Sequence, residues 1–266
     1  MIINKIQDAF ALRSRCGLGF RDILMLRNAG RDGRYQAGKI RFLGIDFSYV
    51  DATSLLAGLR EIYIDECYKF KAPNQEPRII DCGANVGLSV FYFKHLYPLA
   101  KIQAFEADPV ICGALRTNVT SAGFSGVDVH NRAIWVANEP VDFRTEGGFS
   151  GRVTMPGDLL SVTRVDGFRL RDILDEPVDL LKIDIEGAEN QVIADCADRL
   201  RNVSALFLEY HSHQHAPQQL DEILRVLKYS DFRYFIKEAF VPRHPLVSQC
   251  ALDGMDLQLN IYGIRV

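Results

Sequence analysis

Several polar side chains stand where apolar runs stop, and their types suit proton transfer and the binding of hydroxyl groups. Asp81 ends the run Arg78-Ile79-Ile80, and Glu106 ends Lys101–Phe105. Asp184 lies inside Leu180–Ile185, and Glu209 and His211 close Ala205–Tyr210. Carboxylates accept hydrogen bonds from hydroxyls, and an imidazole titrating near 6.5 exchanges protons at neutral pH. Asp184 alternates with Ile183 and Ile185 at a strand end that should be buried, where an unpaired carboxylate is costly. Structural need alone does not account for it.

The stretch Asp81-Cys82-Gly83-Ala84-Asn85-Val86-Gly87 runs from an apolar strand, through a glycine-rich turn, into the apolar run Leu88–Phe93. A strand, a tight turn and a helix start bring backbone close to a nucleotide-like ligand. Glu106 follows at the distance where such folds place an acid for ribose hydroxyls. A pyrophosphate-binding turn is spelled G-x-G-x-x-G, whereas Gly83, Asn85 and Gly87 give G-x-N-x-G with Asp81 at the strand end. That carboxylate would repel a pyrophosphate but suits the cationic amino-acid end of S-adenosylmethionine. The turn therefore reads as a methyltransferase site rather than a dehydrogenase site.

The elements that must position these residues alternate from Arg78 onward. Strands are predicted near 78–81, 102–106, 127–132, 180–185 and 205–210, and helices near 88–96, 109–121, 189–200 and 217–229. Such alternation predicts a parallel sheet covered on both faces. Residues 133–171 break it with turn signals at Glu139-Pro140, Gly147–Gly151 and Pro156-Gly157, and read as an insertion at the sheet edge or over the site. Runs 233–241 and 257–266 read as a closing antiparallel strand pair.

Residues 1–75 read as a separate N-terminal extension and 76–266 as the catalytic domain. Residues 1–41 contain nine Lys or Arg and three Asp or Glu, whereas the whole chain has a net charge of −3. One or two amphipathic helices, a loop over 30–38, a hairpin around Gly44 and a helix from Thr53 to Tyr68 over the cofactor mouth are expected. The basic face is a candidate for a membrane surface, an anionic substrate or a second copy of the chain in a homodimer. Acidity overall, without an aromatic-lined basic groove, argues against nucleic acid. No run approaches a membrane span or a signal-peptide core, so a cytoplasmic location is expected. The six cysteines show no C-x-x-C spacing, and neither a zinc site nor a disulfide framework is indicated.

Asp81–Gly87, Phe105–Pro109, Asn131–Ile134 and above all Lys182-Ile183-Asp184-Ile185-Glu186-Gly187-Ala188-Glu189 together resemble the FkbM family of S-adenosylmethionine-dependent methyltransferases. The likeness covers roughly residues 78–210. It implies a Rossmann-like, doubly wound α/β fold with a seven-stranded sheet, and O-methylation of a hydroxyl. A carbohydrate acceptor in a glycan or glycolipid is the leading expectation, with a polyketide or other secondary metabolite as the alternative. The resemblance implies that Asp81, Gly83, Asn85 and Gly87 surround the methionine end and ribose. Glu106 would take the ribose hydroxyls, Ala107 and Asp108 the adenosine, and Arg132 with Ala133 the adenine side, while Asp184 faces the transferred methyl.

Asp184, Glu209 and His211 are the candidates for the base. Tyr210–His215 reads as a surface loop with His213 and His215 exposed, and Glu189 as a residue complementing a helix dipole. Alternate histidines beside Glu209 make a metal a lesser reading, and no metal is assigned because a fourth ligand is not evident. Phe149 and Arg152 on the glycine-rich loop are candidates for a lid. Two rival classes remain: a nicotinamide-dependent oxidoreductase, and a non-catalytic binding module.

Overall fold

The computed structural model describes residues 5–29, 36–144, 152–153, 162–214, 216–247 and 254–265. Helices α1 (Lys5–Cys16) and α2 (Phe20–Ala29) precede a hairpin of β1 (Gly38–Phe42) and β2 (Ile45–Tyr49), then α3 (Ala52–Leu59), which continues as one π turn over Arg60–Ile64. The α/β body follows as β3 (Arg78–Cys82), α4 (Leu88–Leu96), β4 (Lys101–Phe105), α5 (Pro109–Ser121) and β5 (Val127–His130). Short strands β6 (Ala133–Trp135), β7 (Pro140–Arg144), β8 (Arg152–Val153) and β9 (Val162–Arg169) come next. The chain then returns through β10 (Val178–Ile183), α6 (Glu189–Asp195), β11 (Val203–His213), α7 (Leu220–Tyr229), β12 (Phe232–Phe240) and β13 (Met255–Arg265).

Seven strands form one sheet in the order β5-β4-β3-β10-β11-β13-β12. Pairings from β5 through β11 are parallel, and β13 runs antiparallel to both β11 and β12. The expected doubly wound sheet and closing strand pair are both present. β3 and β10 have no exposed residue because helices cover both faces, which is why they read as continuous apolar runs. Helix α4 is buried from Leu88 through Lys94 and is accordingly apolar nearly all round. Its one buried cation, Lys94, donates to the carbonyls of Ala100 and Pro98 at 2.6 and 3.2 Å.

Two expectations are corrected here. The region 133–171 is not only turns: β6, β9, β7 and β8 make a four-stranded sheet around Ala133, Val141, Phe143 and Val165. Short strands between turn residues carry too little periodicity to show in the sequence. Tyr210–His213 is not a surface loop. β11 runs on to His213, and Tyr210 and His211 are 1% and 4% exposed, because β13 pairs with β11 from Ala205 through His213. The lid residue Phe149, with His215 and most of the loop over 30–38, lies outside the described residues. Of Arg152 only the backbone, in β8, is described.

The N-terminal segment shares a core with the body. Phe42 and Phe47 meet Phe91 of α4 at 5.7 and 5.2 Å, and Tyr63 meets Tyr92 at 5.4 Å. Asn118, with no exposed surface, locks the hairpin to α5. Its amide accepts from Ser48 N at 2.7 Å and donates to Ser48 O and Val86 O, both at 2.9 Å. Replacing Asn118 by Ala strips three backbone groups, one buried and two part-buried, of their partner and should lower the unfolding free energy by roughly 1–3 kcal/mol. Urea denaturation of the wild type and the Asn118→Ala variant measures this; a change within error would mean that the hairpin is held by its aromatic packing alone.

Candidate active site

The site lies at the carboxyl ends of β3, β4 and β10, where the chain steps one way from β3 to β4 and β5 and, after β9, resumes on the other side of β3 with β10 and β11. Ligands bind at such a switch point because the diverging connections leave a crevice. The cleft has about 1020 Å³ of empty space, its open mouth included. Gly83–Val86 line it, with Glu106, Ala107, Arg132 and Ala133 on the β4 and β5 side and Lys182, Asp184 and Glu186 on the β10 side. Tyr49, Asp51, Ser54 and Tyr68 add a wall from the N-terminal segment.

Gly83 is required by contact as well as by conformation. Its φ is +82°, and a Cβ there would stand 1.8 Å from the carbonyl oxygen of Asp184. No side chain fits between the two strand ends. Every backbone N–H of the turn is used internally. Gly83 and Ala84 donate to Phe105 O, Asn85 to Glu106 Oε2 and Val86 to Asn85 Oδ1, while Gly87 donates to Ala84 O. A pyrophosphate needs free N–H donors, and this turn offers none.

Glu106 is held at both carboxylate oxygens, Oε2 by Asn85 N and Oε1 by Asp108 N, each at 2.9 Å. Burial outweighs these bonds and pushes its pKa up to about 7. Each oxygen keeps a lone pair for a further donor. Asp108 turns away to cap α5, accepting from Val110 N and Ile111 N.

Lys182 binds the site together from below. Its ammonium, almost fully buried, lies 3.1 Å from Asp81 Oδ1, 3.5 Å from Asp184 Oδ2 and 2.8 Å from the carbonyl of Gly83. Burial alone would lower its pKa, but Asp81 and Asp184 outweigh that and raise it. Asp81 is fully buried, takes a 2.6 Å hydrogen bond from Ser89 Oγ and does not line the cleft.

Beyond Asp184 a second polar cluster forms. Glu209 and His211 are two residues apart on β11 and so share a face, with Asn260 and Gln258 directly opposite on β13. Gln258 donates to Glu209 and lies 3.3 Å from His211 Nε2. The π turn brings in Glu61, whose carboxylate accepts from Asn260 at 3.1 Å. Burial raises the pKa of both Glu61 and Glu209, with Asp184 adding to it. Glu189 receives Ile185 N, Gly187 N and His211 Nδ1 at 3.0–3.1 Å. It therefore fixes the loop and the imidazole, beyond favouring its helix start. Burial opposes charge on His211, but Glu186 and Glu189 prevail and raise its pKa well above the ordinary value.

Gly83, Asn85, Glu106, Ala107, Arg132 and Ala133 thus line the cleft, together with Asp184. Asp81, Gly87 and Asp108 instead hold the walls. Glu209 and His211 converge with Asp184 behind the lining. Glu61, Gln258, Tyr49 and Asp51 were not singled out from sequence, whereas Ser54 lies on the helix expected over the cofactor mouth and Lys182 was named only as part of its motif. Lys182 left a signal in the sequence, a cation inside an apolar strand.

This fold and site define an α/β protein of the methyltransferase type. The Methyltransferase FkbM domain matches residues 81–234, more than half of the chain, and the chain belongs to that family. It is 29% identical over 159 residues to Methyltransferase 1 of Beauveria bassiana (strain ARSEF 2860), across 50% of this chain and 64% of that one. The match thus spans less than two thirds of the fungal relative. It is 26% identical to the 31-O-demethyl-FK506 methyltransferase FkbM of Streptomyces tacrolimicus, across 68% of this chain and 84% of that one. The solved SAM-dependent methyltransferase of Agrobacterium tumefaciens shares the fold, with a TM-score of 0.50 at 8% identity over 87% of this chain and 71% of that one.

Removing the central cation should be expensive. Lys182→Met leaves Asp81 buried and uncompensated, and is expected to cost roughly 3–5 kcal/mol of stability in denaturant unfolding, with Lys182→Met/Asp81→Asn recovering part of it. Equal losses in the single and double variants would show that the pair is not coupled.

Proposed function

We propose that the protein transfers a methyl group from S-adenosylmethionine to a hydroxyl of a polyhydroxylated acceptor, a sugar within a glycan or glycolipid. The observation that carries the cofactor is the turn itself. Its five N–H groups are taken by protein acceptors, and it stands beside a buried carboxylate with lone pairs to spare. That arrangement suits a ribose and a cationic methionine end and does not suit a nicotinamide dinucleotide. From β5 to β10 the sheet spans three strand spacings, about 14 Å, enough for an adenosine at Arg132 and Ala133 and a sulfonium near Asp184.

In the transfer the acceptor oxygen attacks the methyl carbon as the carbon–sulfur bond breaks, and the cofactor supplies the intrinsic reactivity. The protein's task is to hold the oxygen in line, which is worth far more than partial proton transfer. Of Asp184, Glu209 and His211, only Asp184 lines the cleft, and it is the group positioned to hold the acceptor hydroxyl. Glu186 adds a second carboxylate to the lining on that side, which supports an acceptor rich in hydroxyl donors. The FK506 relative, whose name specifies a 31-O-demethyl acceptor, supports oxygen as the atom methylated.

Among the described residues no helix is long and apolar enough to cross a membrane, and the five described cysteines are free and buried. A cytoplasmic location goes with this reading. Exposed Phe10, Phe20, Leu24 and Met25 on α1 and α2, with Arg13 packed over the Phe20 ring at 5.0 Å, support contact with an anionic membrane surface carrying the acceptor. Sedimentation with phosphatidylglycerol vesicles, weakened at least tenfold by Phe20→Ser/Leu24→Ser, is expected. A concentration-dependent dimer lost in the same variant, without vesicle binding, would make that face a subunit contact instead.

Calorimetric titration with S-adenosylmethionine and S-adenosylhomocysteine should give micromolar dissociation constants, no binding of NADH, and loss of binding in Glu106→Ala. Hydroxyls donate to the ionised Glu106, so affinity should fall about tenfold per pH unit below about 7. In the ligand-free protein the same raised pKa contributes stability that is complete below the ordinary carboxylate range and lost as pH rises through about 7. A folded protein that binds neither compound would remove the methyltransferase reading and favour a binding module.

A further inference from the structure

We propose that Asp184, Glu186 and His211 hold a divalent cation at the acceptor end of the cleft. One ligand atom from each lies within 4.8 Å of the others. His211 Nε2 is 3.5 Å from Glu186 Oε2 and 4.0 Å from Asp184 Oδ1. These separations are too long for good charge-assisted hydrogen bonds, which close to about 2.7–2.9 Å. They do fit ligands of one ion: three atoms so spaced share a centre about 2.4 Å or less from each, within the range of metal–oxygen and metal–nitrogen bonds.

Independent features orient the donors. The His211 ring is 4% exposed, and its Nδ1 is engaged by Glu189 Oε1 at 3.0 Å, so Nε2 is the atom left toward the carboxylates. A carboxylate fixing the far nitrogen is the usual support of a metal-bound histidine. Asp184 divides its oxygens: Oδ2 faces Lys182, leaving Oδ1 for the ion. Glu209 Oε1 stands 3.9 Å from Nε2 but outside the group of three, and it accepts from Gln258. Five carboxylates, Glu61, Asp184, Glu186, Glu189 and Glu209, gather here, and the Lys182 cation is shared with Asp81.

The role of the ion rests on the methyltransferase reading; the site itself does not. Asp184 and Glu186 line the cleft, so the ion's open positions face the acceptor. A hydroxyl bound there is acidified. Its O–H bond breaks with the proton passing to water. The O–C bond then forms as C–S breaks, the electron pair staying on sulfur. Two carboxylates and one imidazole suit manganese, magnesium or zinc, and no redox change is involved.

Electron paramagnetic resonance of Mn²⁺ titrated into the full chain tests the site. One saturable Mn²⁺ per chain is expected, displaced by Mg²⁺ or Zn²⁺ and weakened at least tenfold by Glu186→Gln and by Asp184→Asn. Absence of saturable Mn²⁺ binding by protein with a native circular-dichroism spectrum overturns the site, as does binding unaffected by both variants. Mn²⁺ binding with no S-adenosylhomocysteine binding would leave the site standing and remove the methyl-transfer reading.

Discussion

A cation buried between two strand ends is the constraint on which the rest of the structure depends. Lys182 sits on β10 with its ammonium against Asp81 at the end of β3, the carbonyl of Gly83 and Asp184. Asp81 without Lys182 would be a buried uncompensated charge, and Lys182 without Asp81 would keep only Asp184 at 3.5 Å, so a change to either disturbs the other. The pair fixes the register in which the β3 turn meets the end of β10. That register puts the backbone of Gly83 against the carbonyl of Asp184, where only glycine fits. The polar core thus dictates the glycine and, through Asp184, one wall of the cleft.

The cleft is divided by how each end uses its carboxylates. On the β4 side Glu106 is held by backbone donors, so its position is set by main chain and does not depend on a partner charge. On the β10 and β11 side carboxylates crowd around one imidazole and one ammonium, and their ionisation is mutually coupled through short distances in a poorly solvated space. The first arrangement suits recognition of a neutral polar group at a fixed place. The second is an environment in which small changes of charge move protons or ions, as chemistry at an oxygen requires.

The segment before β3 is part of the same core and of the same cleft. Phe42, Phe47 and Tyr63 pack on α4, and Asn118 bonds the β2 backbone to the turn at Val86. Tyr49, Asp51 and Ser54 then line the opening. The π turn at Arg60–Ile64 adds one residue to the helix, and Glu61 on it reaches Asn260.

The sequence by itself determined the sheet. Apolar runs ending in Asp81, Glu106 and Asp184 announce buried parallel strands, and the spelling of Gly83, Asn85 and Gly87 announces the turn, because both follow from local rules of burial and backbone geometry. It also named Gly83, Asn85, Glu106, Ala107, Arg132, Ala133 and Asp184, which line the cleft. Direction and pairing of side chains were decided only in three dimensions. Asp81 reads as a ligand contact, but Lys182, about a hundred residues away, turns it into a buried ion pair. His211 reads as a candidate base at the edge of a surface loop, but β11 continues past it paired with β13, and it is buried against Glu189. Glu61, Gln258 and Asn260 meet Asp184 and Glu209 across long separations that carry no periodicity in the sequence. Local patterns fix an element and the residue at its end; which charges share a buried space is fixed by tertiary packing, since only packing excludes the water that would otherwise keep them apart.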